Sequence, residues 1–170
     1  MKVWTKPKHG WDKLNTDASF SADDCTGAWG AVLRNDQGDV IKSAWGFLPH
    51  CPNVLTAEAL GMLLGVREVI PVYAGPLQIE SDNLMLVNEL KASWRSKSQV
   101  ADIVQDIGNS TQLLSEVVFR KINRTANEVA NALAKLGQVG LTEGMVLGQV
   151  PPCVVDRLNH DCKHDTSIVS

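Results

Sequence analysis

Two short apolar runs, residues 27–34 and 40–47, flank the segment Asn35-Asp36-Gln37-Gly38-Asp39. Turn chemistry between two strand-like runs closes a β-hairpin, so the chain must build a sheet. The two-residue repeat of a strand puts Trp29, Ala31 and Leu33 on one face of the first run, and Ile41, Ser43, Trp45 and Phe47 on one face of the second. A further strand is expected over residues 11–19, before the hairpin.

The chain after the hairpin asks for helices. Thr56 is expected to cap a helix that runs to Ile70 and stops at Pro71. Leu60, Leu63 and Leu64 give that helix an apolar face, and Ala57, Gly61 and Gly65 form a flat stripe for close backbone approach. Leu77 and Ile79 alternate in a strand over 76–82, which runs straight into a helix over 83–91. Val100, Ile103, Val104 and Ile107 stand at helical spacing in a second helix near 99–114, and 117–119 form another strand. Thr125-Ala126-Asn127-Glu128 matches a capping box, opening a helix to about Leu136 with Gly137 as its C-cap. The order βββ-α-β-α-α-β-α predicts an α/β fold, a mixed sheet with helices packed on it.

A length of 170 residues suits one domain, and 44% hydrophobic with 21% charged residues supplies a core. That domain is placed at 11–137, with a leader or linker at 1–10 and an irregular C-terminal tail at 138–170, broken by Pro151-Pro152. The chain starts without an apolar run and holds no window able to span a membrane. Its four cysteines are scattered, without CxxC, which fits an intracellular protein with free thiols, in nucleus or cytoplasm; a monomer is expected. Cys153, His160, Cys162 and His164 are metal-capable types, but their spacing fits no standard zinc pattern. The net charge of -3 speaks only mildly against a nucleic-acid partner, because acidic metal ligands would themselves lower the total.

Asp17 breaks the local rules of its strand, Lys13-Leu14-Asn15-Thr16-Asp17-Ala18-Ser19. Aspartate opposes β propensity and, when buried, resists desolvation, a breach found mostly where a site needs it. Asp82 falls at a strand's carboxyl end and a helix's amino end, and Glu58 in the first turn of its helix. If the first strand and the Leu77 strand are adjacent and parallel, both aspartates reach one sheet edge, where open α/β sheets bind ligands. Three converging carboxylates repel and raise one another's pKa unless a cation is present, and oxygen-only ligands suit Mg²⁺ or Mn²⁺. Taken singly, Asp82 is also explained as an N-cap and Glu58 as a favourable first-turn charge.

These residues resemble the ribonuclease H type 1 family, particularly its plant reverse-transcriptase-like branch. The resemblance runs through Trp11-Asp12-Lys13-Leu14-Asn15-Thr16-Asp17, Gly27-Ala28-Trp29-Gly30-Ala31-Val32-Leu33-Arg34, Thr56-Ala57-Glu58-Ala59-Leu60 and Ile79-Glu80-Ser81-Asp82. It closes with Arg124-Thr125-Ala126-Asn127-Glu128-Val129-Ala130-Asn131-Ala132-Leu133-Ala134. It implies a three-layer α/β/α ribonuclease H-like fold with a mixed five-stranded sheet. It also implies an endonuclease that cuts the RNA strand of RNA–DNA hybrids with two Mg²⁺ or Mn²⁺ ions, ~4 Å apart, clamping the scissile phosphate. Asp17, Glu58 and Asp82 match three of the family's four metal-binding acids, and Asn131 stands where the fourth belongs. Ser19, Asn83, Arg124 and Asn127 are the nucleic-acid contacts that the resemblance implies.

Asn131 offers a neutral oxygen in place of a charge. A lost pair interaction at ~4 Å and an effective dielectric near 20 is about 4 kcal/mol at most. Ala18 replaces the glycine that usually follows the first aspartate, and no histidine precedes the last helix in Lys121-Ile122-Asn123-Arg124. The family's basic, aromatic substrate-gripping insertion is missing, unless Lys91, Trp94, Arg95 and Lys97 are its rudiment; an ordinary solvated helix end also explains them. The alternative to a working nuclease is a non-catalytic nucleic-acid-binding or interaction module derived from a retroelement ribonuclease H domain.

Overall fold

The computed structural model describes residues 3–92 and 97–163. Trp94, Arg95 and His164 lie outside them. Strands β1 (Asp12–Ser21), β2 (Thr26–Arg34) and β3 (Val40–Leu48) form an antiparallel meander. Helix α1 (Val54–Val69) crosses to β4 (Pro76–Ser81), which pairs parallel to β1. Helices α2 (Leu84–Lys91) and α3 (Ala101–Thr111) lead to β5 (Glu116–Lys121), parallel to β4. Helix α4 (Glu128–Gly140), strand β6 (Gly144–Leu147) and helix α5 (Val155–Lys163) complete the chain. The sheet order is β5-β4-β1-β2-β3-β6, mixed as expected, with six strands rather than five because β6 adds antiparallel to β3. No helix among the described residues is long and apolar enough to cross a membrane.

The two faces of β1 divide the labour. Leu14 points into the larger core, with Leu33, Met62, Val66, Leu77, Ile79 and Ile107, beneath α1 and α3. Gly61 and Gly65 seat α1 as their spacing predicts: a Cβ at Gly65 would meet the Ala31 Cβ at 2.9 Å and the Thr16 Cγ2 at 3.1 Å. Lys13, Asn15 and Asp17 point the other way, by the two-residue repeat, towards α4.

On that face Gly30, paired with Asp17 across β1 and β2, lets α4 settle onto the sheet. A Cβ there would strike the Ala130 carbonyl oxygen, and it would lie 2.5 Å from the Ala134 nitrogen and 2.6 Å from the Leu133 Cβ. Gly137, expected as a C-cap, instead stays inside α4, where a Cβ would come within 3.0 Å of the Gly46 carbonyl oxygen. The helix ends at Leu141, which takes the left-handed conformation with φ of 48°.

Other caps are corrected too. Asn53, not Thr56, caps α1; its side-chain oxygen accepts from the Thr56 amide at 2.9 Å. Residues Arg124–Ala126 form a 3₁₀ turn, so the expected capping box is not the start of α4, which begins after Asn127.

The ends are more ordered than the sequence suggests. Val150, Val154 and Leu158 pack on Val32, Val129 and Leu133, holding the segment expected to be an irregular tail against the α4 face. Asp161 of α5 inserts beside Arg34 of β2, both about 1% exposed, with Nη1 to Oδ2 of 2.7 Å. The Arg34 guanidinium also donates to Asn15 Oδ1 at 3.1 Å and stacks 3.7 Å from the Trp4 ring centre. Trp4, in the expected leader, is itself buried and donates its Nε1 to the same Asn15 oxygen at 2.9 Å. Asn15 passes its amide to Glu80 Oε2 at 2.9 Å, and Glu80 Oε1 pairs with Lys13 Nζ at 3.0 Å. Two cations and two carboxylates thus balance beneath the sheet edge where Asp17 and Asp82 emerge. Buried charges need such pairing, because desolvating any one of them alone is expensive; Arg34 Nε and Asp161 Oδ1 are left without a hydrogen-bond partner among the described residues.

Candidate functional site

Parallel pairing of β1 with β4, Asn15 against Glu80, carries the two chains side by side to Asp17 and Asp82. Asp82 follows the last residue of β4. The N-cap of α2 is Asn83, whose side-chain oxygen accepts from the Leu86 amide at 3.0 Å, so capping does not account for Asp82. Glu58 sits beyond the first turn of α1, on the buried face, which removes the first-turn explanation for its charge. The structure brings these three together: one carboxylate oxygen from each of Asp17, Glu58 and Asp82 lies within 4.8 Å of the others.

Proximity and burial distort their acidity. Asp17 is 3% exposed and Glu58 6% exposed. Burial, followed by the charges of Asp17 and Asp82, pushes Glu58 up to about 9. Burial, then the charge of Asp82, raises Asp17 to about 6, against hydrogen bonds from Asn131, the Ala18 amide and Glu58 that pull it down. Both shifts favour a proton held within the hydrogen-bonded Asp17–Glu58 pair. Crowded carboxylates repel one another unless a counterion is present, and the all-oxygen donor set suits a hard divalent cation such as Mg²⁺ or Mn²⁺.

Asn131 closes the site from α4. Its Nδ2 donates to Asp17 Oδ2 at 2.8 Å, while the Ala18 amide donates to Asp17 Oδ1 at 3.0 Å. A half-turn of the Asn131 amide exchanges nitrogen for oxygen at the same place, so the side chain can serve either a bare carboxylate or a cation. Asn131→Asp should therefore act in two directions. It replaces a hydrogen-bond donor to Asp17 with a like charge, so the metal-free protein should lose about 1–3 kcal/mol near pH 8. Divalent-ion affinity should rise about tenfold or more, because a second carboxylate favours the cation. Thermal melts with and without Mn²⁺ check both signs, and an unchanged response to Mn²⁺ would remove position 131 from the site.

The four expected nucleic-acid contacts separate. Ser19 is half-buried and donates to Gln138 Oε1 at 3.1 Å on the α4 side of the site. Arg124 is exposed at the 3₁₀ turn before α4. Asn83 engages its oxygen in capping α2. Asn127 is 1% exposed and donates to the Thr16 carbonyl oxygen at 2.9 Å, so it works as a strut between α4 and β1 rather than as a surface contact. Lys135 and Arg157, which line a groove with Arg124 and Asn131, were not marked by the sequence; α5 carries Arg157 there from beyond the Pro151-Pro152 break.

Comparison with known proteins agrees with this geometry. The family described as reverse transcriptase-like matches residues 15–137. No curated protein matches the chain. Among solved structures, the N-terminal RNase H domain of rv2228c from Mycobacterium tuberculosis superposes with a TM-score of 0.69 at 16% identity, covering 76% of this chain and 94% of that one. RNase H1 from the halophilic archaeon Halobacterium salinarum NRC-1 gives 0.70 at 15% identity, covering 77% and 99%. LC11-RNase H1, solved in complex with an RNA/DNA hybrid, gives 0.68 at 13% identity, covering 77% and 99%. On the family match over residues 15–137 and the shared sheet and helix layout, this chain belongs to the reverse transcriptase-like family and has the ribonuclease H fold.

Proposed function

We propose that the protein is a metal-dependent endonuclease of ribonuclease H type, hydrolysing the RNA strand of RNA–DNA hybrids. The observation that carries this reading is the convergence of Asp17 within β1, Asp82 just past the end of the parallel β4, and Glu58 on the buried face of α1. Asp17, Glu58 and Asp82 would hold the divalent ions, with Asn131 as a neutral fourth group. Bound there, two such ions supply Lewis-acid stabilisation of the phosphate and an activated water.

The chain's own residues do the rest. Glu58 must release its proton to become a ligand, so cation affinity should rise with pH. Asp17 accepts from the Ala18 amide and from Asn131, and these two bonds orient its carboxylate. Asn127 ties α4 to β1 immediately beside Asp17 and so holds Asn131 in register with the acids. Selection of RNA over DNA would follow from groove shape and the ribose 2′-OH rather than from base sequence.

Cleavage of a hybrid with a labelled RNA strand tests the proposal. Cutting should require a divalent ion, stop with chelator, and run several-fold faster with Mn²⁺ than Mg²⁺, because Mn²⁺ demands less ideal geometry of an incomplete ligand shell. Hybrid binding without any cutting, at high protein and with either ion, would instead establish the non-catalytic module. One observation favours that second reading: Asn131 donates to Asp17 and brings no charge of its own toward an ion.

A further inference from the structure

We propose that the groove between the 3₁₀ turn Arg124–Ala126, α4 and α5 is a backbone-phosphate subsite for the nucleic-acid strand passing the acidic site. The groove encloses about 290 Å³ and is lined by Arg124, Thr125, Glu128, Asn131, Lys135 and Arg157 among others. Three of these side chains are cationic and one is anionic, in a chain whose net charge is -3. Such a local reversal of sign beside a carboxylate cluster is what a strand of phosphates needs in order to approach it.

Continuity with the acids is direct. Asn131 lines the groove and donates to Asp17 at 2.8 Å, so one side chain belongs to both walls. Lys135 follows Asn131 by four residues, on the same face of α4. A strand with its reacting phosphate at Asp17 would therefore run a neighbouring phosphate across Asn131 to Lys135 and Arg157.

The far wall comes from outside the matched family span. Residues 15–137 match the family, whereas Arg157 stands on α5. Two interactions fix α5 in place. Asp161, one turn further along, is locked to Arg34 at 2.7 Å, and Arg157 Nη1 meets Glu128 Oε2 at 3.0 Å. Beyond its Glu128 contact, the planar fork of Arg157 has further N–H donors suited to phosphate oxygens. The C-terminal segment thus adds a basic wall beside the acidic site. The inference rests on nucleic acid being the ligand, as proposed above, and extends it to a surface that the fold alone does not supply.

Fluorescence anisotropy of a labelled RNA–DNA hybrid, with Ca²⁺ in place of Mg²⁺ and over a series of salt concentrations, tests it. Arg157→Glu should weaken binding about tenfold at low salt and flatten the slope of log K against log salt by about one. Lys135→Ala should act in the same direction. Arg67→Glu, on α1 and remote from the groove, should change affinity less than about threefold, which separates a local phosphate contact from net charge. Circular dichroism confirms that each variant is folded. Arg157→Glu binding like the wild type, with the same salt slope, would overturn the subsite while leaving hybrid cleavage intact. Wild-type binding that depends on Arg157, without cutting in Mg²⁺ or Mn²⁺, would overturn the nuclease reading and uphold the subsite. A wild-type protein with no affinity for the hybrid would overturn the subsite as well.

Discussion

Asp17→Asn should abolish metal-dependent hybrid cleavage while making the metal-free protein more stable. The loss follows from position: Asp17 lies between Glu58, Asp82 and Asn131 and touches two of them. In the proposed site, removing its charge would take away the ligand that joins the others. Metal assistance is worth several kcal/mol, so the rate should fall about a thousand-fold or more. The gain in stability follows from the same crowding. An acid whose pKa is raised by folding supports the folded state only while protonated. For Asp17 that support is present below its ordinary value of 3.8 and lost as pH rises through about 6. Glu58 loses its own support between 4.5 and about 9, and part of that rise is caused by Asp17. Metal-free wild-type protein should therefore weaken steadily from mildly acidic to alkaline pH. Asp17→Asn should recover roughly 1–2 kcal/mol near pH 8, a melting shift of about 2–8 °C for a chain of this size. The advantage should vanish near pH 4. Melting curves across that range, with chelator, give the answer; a variant that is less stable than wild type at pH 8 would show that the carboxylates are not in conflict.

Asp161→Ala should be the most destabilising single change outside the acidic site. It leaves Arg34 buried, with Asn15 and the Trp4 ring but without its carboxylate. Breaking one side of a buried ion pair costs about 3–5 kcal/mol, which lowers the melting temperature by about 6–20 °C in a chain of this length. Arg34→Leu combined with Asp161→Leu should recover most of the loss, since the penalty comes from the orphaned charge and not from the missing attraction. Denaturant titrations of the singles and the double form the cycle. If Asp161→Ala unfolds within about 0.5 kcal/mol of wild type, α5 is not held by this contact.

The core and the acids were readable because they obey local periods. Asp17 falls on the same face of β1 as Lys13 and Asn15, and alternation in 76–82 aligned Asp82 beside it. The Gly61 and Gly65 stripe likewise announced the close seat of α1. What escaped is non-local. Arg34 and Asp161 are 127 residues apart, and nothing within a helical or strand window connects them. Val150, Val154 and Leu158 repeat every four residues, but Pro151-Pro152 interrupts the pattern and hides the amphipathic face. Glu58 was assigned to a first turn because Thr56 resembled the cap; Asn53 begins the helix earlier and carries Glu58 into the interior. Gly137 had the composition of a helix stop, but its lack of a side chain serves contact with Gly46 instead.

The missing side chain of Gly30 has a bearing on how such a protein can be improved. Gly30 faces Asp17 across the strand pair, and the height of α4 above the sheet is fixed there by direct backbone contact. Position 131 therefore has a fixed reach, and a charge restored there would arrive at the acids without any shift of the main chain. Random libraries seeking higher turnover should accordingly find their gains on the groove-facing side of α4. Substitutions at Gly30 should appear only among inactive clones, since each would lift the helix that carries Asn131.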